Sequence, residues 1–126
     1  MIFKEAYGME ENLCPVCGRH VFAADEEYEI CPVCGWENDC LQNSDHSYAG
    51  GANDLSANEA RIEFIALSMP QTAPVAKQLK DEYEQAKAHI RAEYSTPAEQ
   101  ANQLIAQARR SYIGRLAVMV YEELGI

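Results

Sequence analysis

The feature that most constrains this chain is a short segment, Cys-Pro-Val-Cys-Gly, that occurs at residues 14–18 and again at residues 31–35. Two residues between cysteines let both sulfurs of a tight turn point toward one ion. The glycine that follows suits a turn in which backbone N–H groups approach sulfur. Two such knuckles supply the four donors of a tetrahedral metal ion. We therefore predict a metal site made by Cys14, Cys17, Cys31 and Cys34.

Zinc is the predicted metal, with iron as the alternative, because the same four sulfurs fit both ions and the knuckles also resemble those of rubredoxins. Disulfides, free thiols and a redox site are the competing interpretations. The chain has five cysteines, and the odd count with two tight pairs favours a metal. Cys40 is left over as a predicted free thiol, and His20 and His46 are candidate substitute ligands. Four protein ligands would leave no open position for water, which predicts a structural and not a catalytic ion.

The formal charge of −10 is unevenly distributed along the chain. Residues 1–60 hold 12 acidic side chains against Lys4 and Arg19, whereas residues 61–126 hold 8 acids and 8 bases. Direct binding of nucleic acid requires Lys and Arg to neutralise phosphates, so this distribution argues against it. The same field would attract a basic protein.

The remaining segments predict a hairpin, a loop and helices. Residues 19–23 and 27–30 have strand-like character and are expected to pair as a β-hairpin between the knuckles. A polar stretch at 36–55 reads as an ordered loop. Helices are predicted from the capping box Ser56-Ala-Asn-Glu59, from Thr72-Ala-Pro74 and from Thr96-Pro97.

The predicted fold class is α+β. We expect a small rubredoxin-like zinc ribbon with a β-hairpin, followed by three α-helices of which the last two form an antiparallel hairpin. Residues 1–66 would form the ribbon module with its loop and first helix, and residues 67–126 the helical hairpin, packed as one compact unit.

The stretch from Cys14 to Phe64 resembles the cysteine-rich CPCC-type small bacterial proteins. The residues that carry the resemblance are the two knuckles, Glu29-Ile-Cys-Pro-Val-Cys-Gly-Trp-Glu-Asn-Asp39, Gln42, and Gly50-Gly-Ala-Asn-Asp-Leu-Ser-Ala-Asn-Glu-Ala-Arg61. Val16 stands where the additional cysteine of the family's motif would be. The resemblance implies a zinc-ribbon-like module and assigns no activity, and the helices after residue 66 lie outside it.

Two interpretations of the shared residues remain open. In the first, the ring of Trp36 covers the metal turn, while Asn53 and Arg61 tie the loop back to the ribbon. In the second, a recognition surface for a partner includes five residues. They are Glu26, Glu27, Trp36, Glu37 and Asp39.

The functional hypothesis is a non-enzymatic, zinc-stabilised acidic module that binds a basic protein. Its concrete form is an immunity protein that neutralises a basic bacterial toxin. The chain contains no G-x-S-x-G elbow, phosphate-binding loop or H-E-x-x-H pair. A rubredoxin-like iron electron carrier and a regulatory or assembly adaptor are the alternatives. Neither a signal-peptide pattern nor an apolar run of membrane-spanning length occurs, so a reduced cytoplasmic setting is expected.

Overall fold

The computed structural model describes residues 12–23, 25–93 and 95–125, and the regular structure within these ranges is helical. None of its helices has the length and apolarity that crossing a membrane requires. The described ranges contain four helices, α1 (Cys40–Ser44), α2 (Ala57–Ser68), α3 (Ala73–Ala92) and α4 (Ala98–Leu124).

The predicted α+β class with a β-hairpin is wrong. The described ranges contain no sheet, and their strand-like pairing is confined to two isolated antiparallel bridges. One joins Leu13 to Val21 and the other joins Ile30 to Glu37. Each bridge therefore closes across a single knuckle, and the segments between the knuckles do not pair with each other as a hairpin.

The local geometry of the knuckles explains the error. The N–H of Gly18 donates to the carbonyl of Cys14 at 3.0 Å, and the second knuckle has the equivalent bond at 2.9 Å. Such a turn brings its own flanking residues together at once, and closing a short loop costs less entropy than pairing two more distant segments. Phe22 then donates its N–H to the carbonyl of Asn12 at 2.8 Å. Backbone pairing across each knuckle therefore takes the place of the predicted hairpin between the knuckles.

The chain divides into two compact units, Met1–Phe64 and Ile65–Ile126. In the first unit the buried apolar cluster includes two of the knuckle cysteines, and its remaining members come from both knuckles' flanks and from α2. The cluster consists of Cys14, Phe22, Cys31, Trp36 and Ala57. The predicted boundary after residue 66 and the packing of both parts as one compact unit stay predictions.

The second unit contains an antiparallel pair of helices, α3 and α4. The rings of Tyr83 and Tyr112 stack with centroids 4.8 Å apart and planes 12° from parallel. Arg115 lies 3.9 Å from Glu82, so the numbering rises along one helix as it falls along the other. The left-handed backbone of Gly125 ends α4, as its position after the last apolar residues predicts.

Candidate metal centre

The four knuckle cysteines converge on one point. Their Sγ atoms all lie within 4.8 Å of one another. The Sγ atoms of Cys14 and Cys34 are 3.5 Å apart, and those of Cys17 and Cys31 are 3.7 Å apart. Four sulfurs about 2.3 Å from a tetrahedral ion would be about 3.8 Å apart. The donor set therefore fits a tetrahedral metal ion, whereas a disulfide would require sulfurs about 2.05 Å apart.

Each of these two separations joins a sulfur of one knuckle to a sulfur of the other. An ion at this place would consequently cross-link two segments that are 17 residues apart and share no sheet. The cysteines are free of disulfides. Two are buried and two are half-buried, so the cluster lies at the edge of the apolar core and not on a fully open surface.

Backbone geometry directs hydrogen-bond donors at the sulfurs. Gly18 and Gly35 both have positive φ, at +66° and +84°, a conformation that glycine adopts without a steric penalty. The N–H of Arg19 donates to Cys17 Sγ at 3.4 Å, and the N–H of Val33 donates to Cys31 Sγ at 3.4 Å. Such bonds favour the charged thiolate, which is the form that binds metal.

A bound cation would stabilise the charged form of the four thiolates. Burial raises the pKa of the Cys14 and Cys34 thiols. At Cys31 burial acts in the same direction, but hydrogen bonds from the backbone of Cys34 and Val33 and from neighbouring thiols outweigh it and lower the pKa. Four thiolates this close would also repel one another. A divalent ion at their centre would offset both costs.

Trp36 packs directly on this cluster. Its side chain is 3% exposed and belongs to the same apolar core as Cys14 and Cys31. The indole N–H donates to Asn43 Oδ1 at 2.9 Å, which satisfies its one polar atom. Asp39 is similarly buried, at 6% exposure. The structure therefore places Trp36 and Asp39 in the interior and not on the recognition surface considered for them.

The other three candidate partner-binding residues reach the surface. Glu27 is exposed, whereas Glu26 and Glu37 are half-buried. The carboxylate of Glu26 accepts the N–H of Ala23 at 2.5 Å and so closes its own turn. The negative charge of Glu27 raises the pKa of the Cys40 thiol, and both residues line a cavity beside the first knuckle. The role of these acids in binding a partner stays a prediction.

Asn53 and Arg61 tie the loop and α2 to the knuckles, as predicted. The side chain of Asn53 accepts the N–H of Glu37 and donates to the carbonyl of the same residue, both at 2.8 Å. Arg61 Nε donates to the carbonyl of Pro15 at 2.5 Å. Asn53 therefore reaches the second knuckle's flank, and Arg61 reaches the first knuckle itself.

Gln42 organises the loop, and the sequence assigned it no role. Its side chain is fully buried. Nε2 lies 3.1 Å from the carbonyl oxygens of Tyr48, Asn53 and Leu55, and Oε1 accepts the N–H of Asn53 at 3.0 Å. One amide thus satisfies backbone groups along most of the loop that leads to α2.

Asp39 holds the other side of this loop. Its Oδ1 accepts the N–H groups of Leu41 and Gln42 and caps α1, while Oδ2 accepts the N–H of Ala52 at 2.8 Å. The Ala52 bond, with the two cap bonds, lowers the pKa of Asp39 below its ordinary value. A Cβ on Gly51 would lie 2.7 Å from Asp39 Oδ2, so any side chain at this position would force Asp39, Gln42 or the loop to move.

The remaining sequence candidates lie outside the sulfur cluster. The residues that the structure describes offer one group able to hold a metal, the four cysteines. The ring of His20 packs edge-on against Phe22 at 4.8 Å. His46 and the exposed Cys40 instead line a cavity of about 930 Å³ beside the first knuckle. Neither histidine therefore replaces a cysteine as a ligand.

Of the comparisons with known proteins, the one with protein families gives a match, and this match includes the four cysteines. No curated protein and no solved structure matches the chain. The family described as Cysteine-rich CPCC matches residues 12–85, which is more than half of the 126 residues. The match extends beyond residue 66, where the sequence resemblance was expected to end, and continues through α2 into α3. The chain belongs to the cysteine-rich CPCC family.

Proposed function

We propose that this chain is a non-enzymatic, zinc-stabilised module that binds a basic protein partner. The observation that carries the proposal is the four-sulfur cluster, whose Sγ atoms lie within 4.8 Å of one another. Four thiolates around zinc complete a tetrahedral shell and leave no place for a substrate or a reactive water. The ion would therefore stabilise the fold, and the function would depend on the protein surface.

The core of the first unit supports a structural ion. Phe22, Trp36 and Ala57 pack against Cys14 and Cys31, so ligands and apolar core are the same cluster. In a unit with no sheet among its described residues, zinc would supply the long-range link that strand pairing supplies elsewhere. Binding energy of structural zinc contributes directly to folding when the site does not exist in the unfolded chain.

The charge distribution supports a basic partner. Residues 1–60 carry a formal charge of −10, and the remainder of the chain is neutral. Complementary charge raises the association rate and selects the partner's orientation. In its concrete form the partner is a basic bacterial toxin, for instance a nuclease. The carboxylates of an acidic protein that covers the substrate site of such an enzyme would occupy the basic surface that otherwise binds phosphates.

A rubredoxin-like iron electron carrier is the second candidate. It is favoured by the partial exposure of Cys17 and Cys34 together with the N–H bonds to Cys17 and Cys31. Exposure of sulfur shortens the path to a redox partner, and hydrogen bonds to sulfur tune the reduction potential. Zinc and iron share this donor set, so metal analysis separates the two candidates.

The test is elemental analysis with an absorption spectrum on the untagged chain, followed by identification of any co-purifying protein. One zinc per chain without visible colour, and a basic partner whose affinity falls with salt, are expected. Cys14→Ser should abolish metal binding, and Cys40→Ser is the matched control that should retain it. Iron with thiolate charge-transfer bands would favour the electron carrier. A colourless zinc protein whose partner is acidic would contradict the proposal.

A further inference from the structure

The two knuckles have equivalent turns but different electrostatic surroundings. Arg19 follows the first knuckle, and the side chain of Arg61 bonds to the carbonyl of Pro15 within it. The second knuckle is flanked instead by Glu29 and Glu37, and these two acids lie on the two segments that meet at the Ile30–Glu37 bridge. A basic partner would be attracted to the second knuckle more strongly than to the first.

Large apolar side chains are exposed beside the same acids. The exposed fractions are 56% for Tyr28, 63% for Ile30 and 65% for Leu41. Backbone pairing brings together the segments that carry them, since the N–H of Tyr28 donates to the carbonyl of Asn38 at 2.7 Å and the N–H of Asn38 donates to the carbonyl of Glu29 at 2.8 Å. Single exposed apolar residues are ordinary, whereas a group of them rimmed by charge is typical of an interaction site.

Tyr28 is held in a strained conformation. Its φ is +67°, and among the described residues it alone combines a side chain with positive φ. For a bulky aromatic residue this region is unfavourable, whereas glycine would adopt it freely. Because more than half of the side chain is exposed, the ring gains little from packing within the chain. The negative charge of Glu27, together with that of Asp39 and Glu37, raises the pKa of its hydroxyl.

We propose that the basic partner docks on an acidic-apolar face at the second knuckle, and this inference rests on the proposed function. The partner would place an apolar side chain of a Lys- or Arg-rich segment against the exposed rings and aliphatic groups, with its cations beside the acids. The face consists of Tyr28, Glu29, Ile30, Glu37 and Leu41.

A library of short random displayed peptides, selected on the full zinc-loaded chain, provides a defined probe. We expect the selected peptides to be enriched in Lys or Arg combined with apolar residues. Their affinity should fall as salt is raised, because the charges lie at an exposed surface. The best such peptide is then synthesised, and its dissociation constant is measured for the wild type and for each variant.

The internal repeat supplies a matched pair of variants. Ile30 directly precedes Cys31, and Leu13 directly precedes Cys14 in the equivalent position, with 40% of its side chain exposed. Ile30→Ser should weaken peptide binding about tenfold or more, as loss of a central anchor does. Leu13→Ser removes a similar side chain from the other knuckle and should change the dissociation constant by less than about twofold.

Tyr28→Gly separates binding from folding. Glycine relieves the positive φ, so the temperature of unfolding should stay the same or rise. Peptide affinity should nevertheless fall about tenfold or more, because the aromatic anchor is gone. A variant that is at least as stable and yet binds poorly would show that Tyr28 serves the partner and not the fold.

The outcomes distinguish the two levels of the proposal. If basic peptides are selected but Ile30→Ser and Tyr28→Gly bind them as the wild type does, the docking face is overturned and the preference for a basic partner stands. If the selected peptides show no basic enrichment, the proposed function is overturned together with the face. Equal losses in Ile30→Ser and Leu13→Ser would also overturn the assignment to the second knuckle.

Discussion

At the scale of single residues, polar side chains pair with the backbone of the first unit, whose described residues form no sheet. Buried backbone N–H and C=O groups must find partners, and a loop without a ladder has to find them among side chains. Gln42 and Asn53 supply these partners in the loop before α2, while Asp39 caps α1 and holds Ala52. The long polar loop is therefore ordered because the side-chain amides of Gln42 and Asn53 and the carboxylate of Asp39 form hydrogen bonds with its backbone N–H and C=O groups.

Replacing Gln42 with alanine should lower the free energy of unfolding by about 2–4 kcal/mol, because several buried backbone groups lose their partner at once. Urea unfolding of the zinc-loaded chain measures the loss. Gln78→Ala is the matched control, since Gln78 is exposed on α3 and contacts Glu82 at 3.3 Å. Its effect should stay within about 0.5 kcal/mol. Similar losses in both variants would contradict the organising role of Gln42.

Gly51→Ala tests the close packing of the same loop. The added methyl group would lie 2.7 Å from Asp39 Oδ2 and 2.8 Å from Gln42 Cδ, so the loop must move. A loss of about 1–3 kcal/mol in unfolding free energy is expected from such overpacking. Gly114→Ala in α4 meets no atom within 4 Å and should gain about 0.5–1 kcal/mol from helix propensity. A neutral Gly51→Ala would mean that the loop yields freely.

At the scale of secondary structure elements, the capping box fixes where α2 begins. Ser56 donates its N–H to Glu59 Oε1 at 2.9 Å, and the N–H of Glu59 donates to Ser56 Oγ at 3.2 Å. Ser56→Ala should cost about 1 kcal/mol in thermal unfolding, because a buried cap is lost. Ser111→Ala, at an exposed position within α4, should change stability by no more than about 0.5 kcal/mol. A cost at Ser111 equal to that at Ser56 would contradict the capping argument.

Elements with local signals were predictable from the sequence. The capping box, the proline in the first turn of α3 and the glycine after α4 all mark helix ends through contacts within a few residues. The β-hairpin was predicted wrongly. Short apolar alternation near the knuckles indicates extended backbone, but it does not specify which segment that backbone pairs with. The five-residue helix α1 is too short for periodicity, although the Asp39 cap was a usable signal.

The site followed the same division. The four cysteines were predictable because their spacing alone brings two sulfurs of each knuckle together. The roles of Gln42 and Gly51 were not predictable, since the residues that they contact lie several positions away in a loop with no regular period. Contacts of this kind depend on the path of the loop, which neither propensity nor spacing specifies.

At the scale of the whole molecule, the two units are stabilised by different interactions. The first combines the sulfur cluster with a small apolar core and a polar network. In the second, α3 and α4 bury aliphatic and aromatic side chains between them, with Leu116 fully buried and the Tyr83–Tyr112 stack at the contact. Loss of a metal should therefore affect the units unequally.

Removing the metal with a chelator should unfold the first unit and leave α3 and α4 helical. Hydrogen exchange measured by mass spectrometry checks this, because amides of residues 12–64 should lose protection while those within 73–92 and 98–124 keep it. Cys14→Ser should reproduce the pattern without chelator, and Cys40→Ser should not. Retained protection in the first unit after complete metal removal would contradict a structural ion.

The stability of the first unit should also depend steeply on pH. The unfolded thiols have ordinary pKa values near about 8.5, so below that pH the unfolded chain holds protons that the metal-bound thiolates have lost. Burial also raises the pKa of the Cys14 and Cys34 thiols in the folded chain, which strengthens proton competition with the ion.

The sign follows from the proton count, because stability rises with pH wherever the unfolded state binds more protons. The free energy of unfolding should therefore fall as the solution is acidified. With four thiols and a fixed zinc concentration, the largest expected slope is about 5 kcal/mol per pH unit. Zinc release followed by a colorimetric chelator, beside hydrogen exchange at each pH, measures both quantities. Release and loss of protection in residues 12–64 should occur together. If protection there survives below the pH at which zinc leaves, the polar network around Gln42 holds the unit without the ion.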